Sequence, residues 1–541
     1  MPPGSTDASA ESAAAPRTGT WTPLLFTWFR WLWIANVVSN VGTWMQNVGA
    51  AWLMTELAPS ALLVALVQTA TNLPVFLLGV PAGAVGDLFD RRKLLLVTQG
   101  LMLAAAAALG ALTLLGATGP WTLLWLTFAL GLGATMNGPT WQAIMPDLVP
   151  QPELPSAIAL NSVGFNLARA VGPALGGAVV AAIGAGAAFI LNAVSFVGVM
   201  IVLYLWRRTT ESHPTPLSTE RVGAAMLAGM RYVRFAPAIH SVLLRSGSFI
   251  ISAAALWSLL PLIAKVELHR ESTGYGVLLG CLGVGSILGA LMLHRLRQLL
   301  SLDTLVTGSV ALFGGLNVLL AYLTSYGAVA GALVVTGVCW MTVNSTLTTA
   351  TQIAVPAWVR ARALGVYLLV FQGAMAVGSV IWGAVATRIG LRATFLAAGL
   401  ALLAAAALTF RLRLAGLREF DTRPSNHWPE PILVVERHEE HGPVLVTVEY
   451  SIATADAKEF TRAMQLMRRL RRRDGAVRWG LFEDAATPGR YIETFVVESW
   501  AEHLRQHERV TIGDREIEER AFAFHQGADP PQVTHWIAAG D

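Results

Sequence analysis

Apolar stretches long enough to cross a bilayer recur along roughly the first four hundred residues, separated by short polar turns. A span needs about 20 mainly apolar residues. Twelve are predicted: 27–53, 61–86, 94–116, 121–146, 156–182, 186–206, 238–264, 274–293, 302–324, 328–352, 363–387 and 392–412. The longer stretch 207–237 separates the sixth from the seventh, and its second part, Arg221–Phe235, has the spacing of an amphipathic helix lying on a membrane surface. The expected architecture is therefore all-α: a disordered lead-in at 1–24, a six-helix bundle at 25–206, a cytoplasmic linker at 207–237 and a second six-helix bundle at 238–415.

Polarity rises in the tail, 416–541. Pro443–Tyr450 alternates like a strand. Ala455–Arg473 has helical spacing, with Phe460, Met464, Met467 and Leu470 on one side. Ala476–Phe482 and Tyr491–Glu498 read as further strands, and a helix starts at Trp500. This order predicts a small cytoplasmic α+β ferredoxin-like domain. Strand Val444–Tyr450 is apolar enough to want a partner sheet, so a homodimer through the tail is expected.

Composition sharpens the membrane reading. Charged residues are 13%, about half the share usual in soluble chains, and apolar residues are 54%. The pI of 9.3 comes from basic residues in short loops and points to lipid rather than nucleic acid. Arg91, Arg92, Lys93, Arg207, Arg208, Arg221, Arg231, Arg234, Arg295, Arg297, Arg360, Arg362, Arg411 and Arg413 fall on one side; Lys265, Arg270, Arg388 and Arg392 fall on the other. The basic-rich side is the cytoplasmic one, which puts both termini inside. Trp21, Trp28, Trp52, Trp121 and Trp206 lie near span ends, as an interfacial belt would, with some of them expected in the core. Cys281 and Cys339 fall inside spans and imply no disulfide framework. No basic region precedes a short apolar core at the start, so no cleavable signal is expected. No Walker-type loop appears, which excludes a built-in ATP motor, and no cofactor or resident metal is expected.

The halves repeat. Asn137–Gly177 lies over Asn344–Gly383 with one slip: Asn137 meets Asn344, Pro150 meets Pro356, Asn166 meets Gln372, Gly172 meets Gly378 and Gly177 meets Gly383. Parallel repeats place a substrate site near the midplane between them. The match breaks at Arg169, which meets Met375. A charge at mid-span costs several kcal/mol unless something answers it. Ser162, Asn166, Arg169 and Pro173 share a helix face, read as lining a central cavity, with structural pairing to a carbonyl or to Asp147 as the alternative. Asn36, Asn40, Thr43 and Asn47 stripe the first span; Asn344, Thr348 and Gln352 stripe the tenth. The candidate substrate-binding residues are Asn36, Asn40, Asn166, Arg169, Asn344 and Gln372. Arg245 is expected to snorkel to the nearby interface. No Asp or Glu lies deep in a span, so a cationic cavity favours neutral or anionic small-molecule substrates over organic cations.

Past the second span stands Gly83-Ala84-Val85-Gly86-Asp87-Leu88-Phe89-Asp90-Arg91-Arg92-Lys93. A carboxylate at Asp87 needs a cation or a helix N-terminus, and the start of the eleventh span lies on its side. Gly83, Asp87, Arg91 and Arg92 are the candidate gating residues. Gly172, Pro173, Gly176 and Gly177 would let the fifth span bend and pack closely. In the tail, His503 and His507 stand at the spacing of a metal pair. Interleaved Arg505 and Arg509 make a solvated helix face the expected reading. Arg468–Arg473 is a basic cluster for anionic lipid or a soluble helix end.

The segment 83–93 resembles the loop signature of the major facilitator superfamily, with Asp90 where that family usually has Gly. Gly172–Gly177 resembles part of its export-type signature, with Ala159 and Ala168 in place of upstream glycines. Asn137-Gly138-Pro139, Met145–Pro150, Ala159-Leu160-Asn161 and Ala168–Pro173 are similar to the branch that contains the enterobactin exporter, the transmembrane secretion effectors. The tail, with Ala476–Trp479 and Glu498–His503, resembles the antibiotic-biosynthesis-monooxygenase type of dimeric α/β barrel. The resemblance implies the major facilitator fold and export of a siderophore, drug or metabolite across the bacterial inner membrane by alternating access, driven by a coupling proton. It implies a transporter rather than an enzyme. The rival readings are an importer, a membrane-anchored enzyme or sensor whose active part is the tail, and a lipid-handling scaffold.

Overall fold

The computed structural model describes residues 19–206, 222–414, 421, 423–425, 427, 428 and 442–539, without the side chains of 80, 83–88, 222–228 and 238. Among the described residues the first half builds α1 (Thr27–Leu57), α2 (Ala61–Leu88), α3 (Arg91–Leu114), α4 (Pro120–Ile144), α5 (Leu154–Ile183) and α6 (Ala185–Leu205). A short α7 (Val222–Phe235) follows, at the place of the expected amphipathic helix. The second half builds α8 (Pro237–Leu262), α9 (Ser272–Leu299), α10 (Leu302–Leu320), α11 (Tyr326–Ile353), α12 (Arg360–Ile389) and α13 (Leu391–Thr409). Ten of these twelve long helices are long and apolar enough to cross a membrane: α2, α3, α5, α6 and α8–α13. The other two, α1 and α4, are diluted by Asn36, Asn40, Gln46 and Asn47 and by Asn137 and Gln142.

Local chemistry sets the helix ends. Asp90 caps α3, its Oδ1 accepting from the Lys93 amide at 3.0 Å. That capping role suits Asp where the family pattern has Gly. Ser301 caps α10 in the same way. The repeat is visible in the backbone. Pro150 and Pro356 each precede a single 3₁₀ turn, Gln151–Glu153 and Ala357–Val359, and each turn feeds a 30-residue helix. Those helices end on Gly184 and Gly390, at φ 86° and 81°, a left-handed conformation that glycine adopts without strain.

The halves meet along two seams. In one, α2 meets α12: the Thr69 hydroxyl donates to the Ala376 carbonyl at 3.1 Å, and the Leu62 amide to Thr387 Oγ1 at 3.3 Å. In the other, α5 meets α9 at Gly177 and Gly276. A Cβ on Gly177 would lie 3.0 Å from the Gly276 Cα, so only glycine permits this approach. Ser272 Oγ donates to the Gly177 carbonyl at 3.2 Å. Trp52 and Trp206 are core residues rather than belt residues, packed under α9 and α3 respectively, whereas Trp21 and Trp121 are exposed.

The tail holds β1 (Val444–Ser451), α14 (Ala457–Arg473), β2 (Arg478–Glu483), β3 (Arg490–Val497), α15 (Trp500–Arg509), α16 (Ile512–Phe522) and β4 (Gln532–Ile537). The four strands form one antiparallel sheet in the order β2-β3-β1-β4. Helix α14 lays Phe460, Met464 and Met467 onto β1, where Val446, Val448 and Tyr450 are buried. The helix expected from Trp500 is two helices. Val510 breaks it, and Thr511 starts α16 with a capping box to Asp514.

The tail docks on the bundle. Arg231 of α7 donates to the Gly475 carbonyl at 2.9 Å and pairs with Glu498 at 3.3 Å. Arg473 stacks over Tyr232, and Arg509 lies 4.4 Å over the ring of Trp358, in the turn that starts α12.

Candidate functional site

Between the halves lies a cavity of about 460 Å³ whose wall includes Arg169, Trp257, Asn344, Gln372 and Met375. Its lining also takes Phe165 from the first half of α5, Thr348 from the end of α11, and Tyr367 and Leu368 from the start of α12. The α12 end carries the basic residues Arg360 and Arg362. A smaller recess of about 190 Å³ shares Trp44, Gln68, Asn72 and Trp257 and lies nearer the Gly177–Gly276 seam, with Asn47 and Tyr275 in its wall. The cavity is thus shut at the seams and reaches toward the basic-rich side.

Arg169 is half-buried on α5, its guanidinium 5.8 Å from the ring of Trp257 across the divide. No ion pair or hydrogen bond joins it to a carboxylate among the described residues. Trp257 packs on Trp340 at 5.0 Å and Trp340 on Phe371 at 6.0 Å, so an aromatic wall faces the charge. Met375, the repeat counterpart of Arg169, lies in the same cavity wall.

The structure therefore brings Arg169, Asn344 and Gln372 together. It places Asn36, Asn40 and Asn166 elsewhere. Asn36 donates to Asn161 Oδ1 at 3.2 Å, and Asn40 turns back to the Asn36 carbonyl. Asn166 is exposed and donates to the Ser162 carbonyl. Helical spacing gave these amides a common face with Arg169 or with each other; Asn36 bonds across to α5, and Asn40 and Asn166 bond back along their own helices, as Asn344 and Asn72 also do within the cavity wall. Gln68, Asn72, Trp257 and Trp340 line the cavity and were not read from the sequence. Gln68 and Asn72 are four apart on an apolar helix, a signal of the same kind as the stripes that were used.

Of the gating residues, the side chains of Gly83 and Asp87 lie outside the described residues. Arg91 donates to the Ala143 carbonyl at 2.9 Å and stands 3.8 Å from Asp147. Arg92 donates to the Leu203 and Tyr204 carbonyls. Both arginines thereby close the C-terminal ends of α4 and α6 within the first half, where the helix dipole favours a cation. Gly172, Pro173, Gly176 and Gly177 are buried in α5, with Gly172 and Gly176 against Trp44 and Met45 of α1. Arg245 does not snorkel. It is 2% exposed and pairs with Asp303 at 2.9 Å, and Asp303 also accepts from the Leu414 amide. A carboxylate at the start of α10 answers the charge inside the bundle.

The tail corrects two readings. The basic cluster is solvated only in part: Arg468 and Arg469 are exposed, whereas Arg471 is buried between Glu493 at 3.3 Å and Glu518 at 2.7 Å, and Arg473 between Asp474 and Asp514. Tyr450, Trp479 and Trp428 complete the carboxylates' hydrogen bonds. Burial pushes the Glu518 carboxyl up, yet Arg471, His427 and Trp428 outweigh it and hold the group below its usual range. Nor is the His503 face solvated. His503 is 1% exposed beneath Trp500, and β4 brings His535 against it, ring centres 4.7 Å apart. Burial, with His535 adjoining, lowers His503 to about 3 and His507 to about 4.

Comparison with known proteins gives a consistent picture. A family described as transmembrane secretion effector matches residues 18–541. The chain is similar to the multidrug efflux pump Tap of Mycolicibacterium fortuitum, 25% identical over 74% of this chain and 97% of that protein. It is also similar to the staphyloferrin A transporter of Staphylococcus aureus, 24% identical over 51% of this chain and 68% of that protein. The enterobactin exporter EntS of Citrobacter koseri is 26% identical over 53% of this chain and 68% of that protein. Among solved structures, a bacterial homologue of the lysosomal transporter Spinster, inward-facing, superposes with a TM-score of 0.57 at 15% identity, over 71% of this chain and 96% of that one. A bacterial homologue of the iron transporter ferroportin, also inward-facing, does so at 0.55 and 17%, over 72% and 98%. These two likenesses speak to fold alone.

Proposed function

Because the chain belongs to the transmembrane secretion effector family of major facilitator transporters, and is a multi-pass membrane transporter, we propose that it exports a small neutral or anionic solute from a bacterial cell by alternating access. The observation that carries this is Arg169. A guanidinium facing a cavity between two repeats, with no carboxylate among the described residues to answer it, fits a site whose counter-charge arrives with the substrate. The aromatic wall of Trp257, Trp340 and Phe371 would hold the apolar part of that solute. Arg169, Asn344 and Gln372 would bind it, joined by Gln68 and Asn72.

In this reading all twelve long helices cross the inner membrane, both termini are cytoplasmic, and the cavity stands open to the cytoplasm. The two seams are its closed outer door, and the glycine pair Gly177–Gly276 lets that door shut tightly. The proton-motive force drives the cycle. The tail, 416–541, is a ferredoxin-like sandwich, supported by its strand order. Two chains pair through it, which the exposed Phe482, Val533 and Trp536 support.

Uncoupler-sensitive efflux tests the reading. Cells with the protein, loaded with a panel of siderophores, acidic drugs and cationic dyes, should extrude acidic or neutral members faster than cells without it. An uncoupler should abolish the difference. Efflux of organic cations alone, or none of any member, would overturn it.

A further inference from the structure

The tail carries a second site that transport chemistry does not use. His503 and His507 lie one turn apart on α15, and His535 comes from β4, the edge strand of the sheet. Ligating atoms of all three lie within 4.8 Å of one another. We propose that His503, His507 and His535 form a binding site for a first-row divalent transition-metal ion of the zinc or iron(II) class.

Four features carry this. First, the Nε2 atoms of His503 and His507 are 3.3 Å apart. That is long for a hydrogen bond between ring nitrogens, whose usual length is about 2.9–3.0 Å. It matches the edge of a tetrahedron around a metal with bonds of about 2.0–2.1 Å, which is roughly 3.3 Å. Second, His503 Nδ1 is 3.4 Å from Gln506 Oε1. A proton held on Nδ1 leaves the Nε2 lone pair free to ligate, the arrangement metal-binding histidines commonly show. Third, the site is walled: His503 is 1% exposed, and the rings of Trp500 and Trp428 pack on His503 and His507. Fourth, the donors are all imidazole. Nitrogen-only sets suit zinc, iron, cobalt or nickel and not calcium or magnesium, which take oxygen. Three protein ligands leave a coordination position open, as sites that exchange ligands do. The third ring, His535, packs on His503 with ring centres 4.7 Å apart.

The full chain, purified in detergent through a tag without histidine and stripped with EDTA, is titrated with zinc. Bound metal is counted after gel filtration, and the tail's unfolding is followed by tryptophan fluorescence. About one zinc per chain is expected, with a higher unfolding temperature when loaded. Both should disappear in His535→Gln and in His507→Gln. The second variant guards against a folding defect in the first, and each must match the stripped wild type in gel filtration. Zinc retained equally by both variants, or none retained by the wild type, overturns the site. The outcome is independent of transport, since neither readout involves efflux.

Discussion

The bundle's cavity and the tail each draw an arginine from water, and they treat it in opposite ways; Arg245 of the bundle, on Asp303, follows the tail's pattern. In the tail Arg471 lies between Glu493 and Glu518, and every carboxylate oxygen there meets a donor. In the bundle Arg169 faces an aromatic ring and a cavity, with no carboxylate among the described residues. A fold built only to be stable satisfies its charges internally, because an unanswered one is expensive. In the proposed function, a charge left facing a cavity marks a place where the partner comes and goes. The packing differs too. The tail has a core of its own, and the halves of the bundle meet at glycine and hydroxyl seams.

Substitutions can break or sharpen this contrast. Arg471→Met should have the largest structural effect, because it strands two buried carboxylates: a loss of about 3–5 kcal/mol in tail stability. Hydrogen exchange in β1 and β3 would read it, and α5 and α12 should stay protected. Gly177→Val places a Cβ 2.6 Å from the Ser272 carbonyl, a backbone atom that cannot yield. Overpacking of about 1–3 kcal/mol at the seam should cut efflux about tenfold while the tail's unfolding is unchanged. Arg231→Met removes a half-exposed link between α7 and the tail. It should change stability by less than about 1 kcal/mol, seen as faster exchange in α7 alone. An effect at β1 as large as that of Arg471→Met would show that docking, not the internal network, holds the tail.

Much of this was legible in the sequence because the membrane leaves few options. Runs of apolar residues gave each long helix to within a few positions, and the Pro150/Pro356 and Gly177/Gly383 matches gave the repeat. The cavity was half legible. Arg169 stood out as a charge where its counterpart is Met375, but the face of an amide on an apolar helix is ambiguous. Asn40, Asn166 and Asn344 all bond to carbonyls four residues back, yet only Asn344 lines the cavity, and no spacing separates them. In the tail, charge misled. Arg471, Arg473 and His503 look solvated when read along one helix, and they are buried by partners dozens of residues away. His535 lies on a strand that the sequence pattern did not disclose, so the third imidazole became visible only when β4 paired with β1.

The most direct test of the central claim is Arg169→Met, the residue its own repeat carries, measured for both efflux and thermal unfolding at equal surface expression. The account predicts that uncoupler-sensitive efflux is lost while the unfolding temperature holds or rises, because no partner is stranded. Efflux equal to wild type, or unfolding as severe as in Arg471→Met, would contradict it.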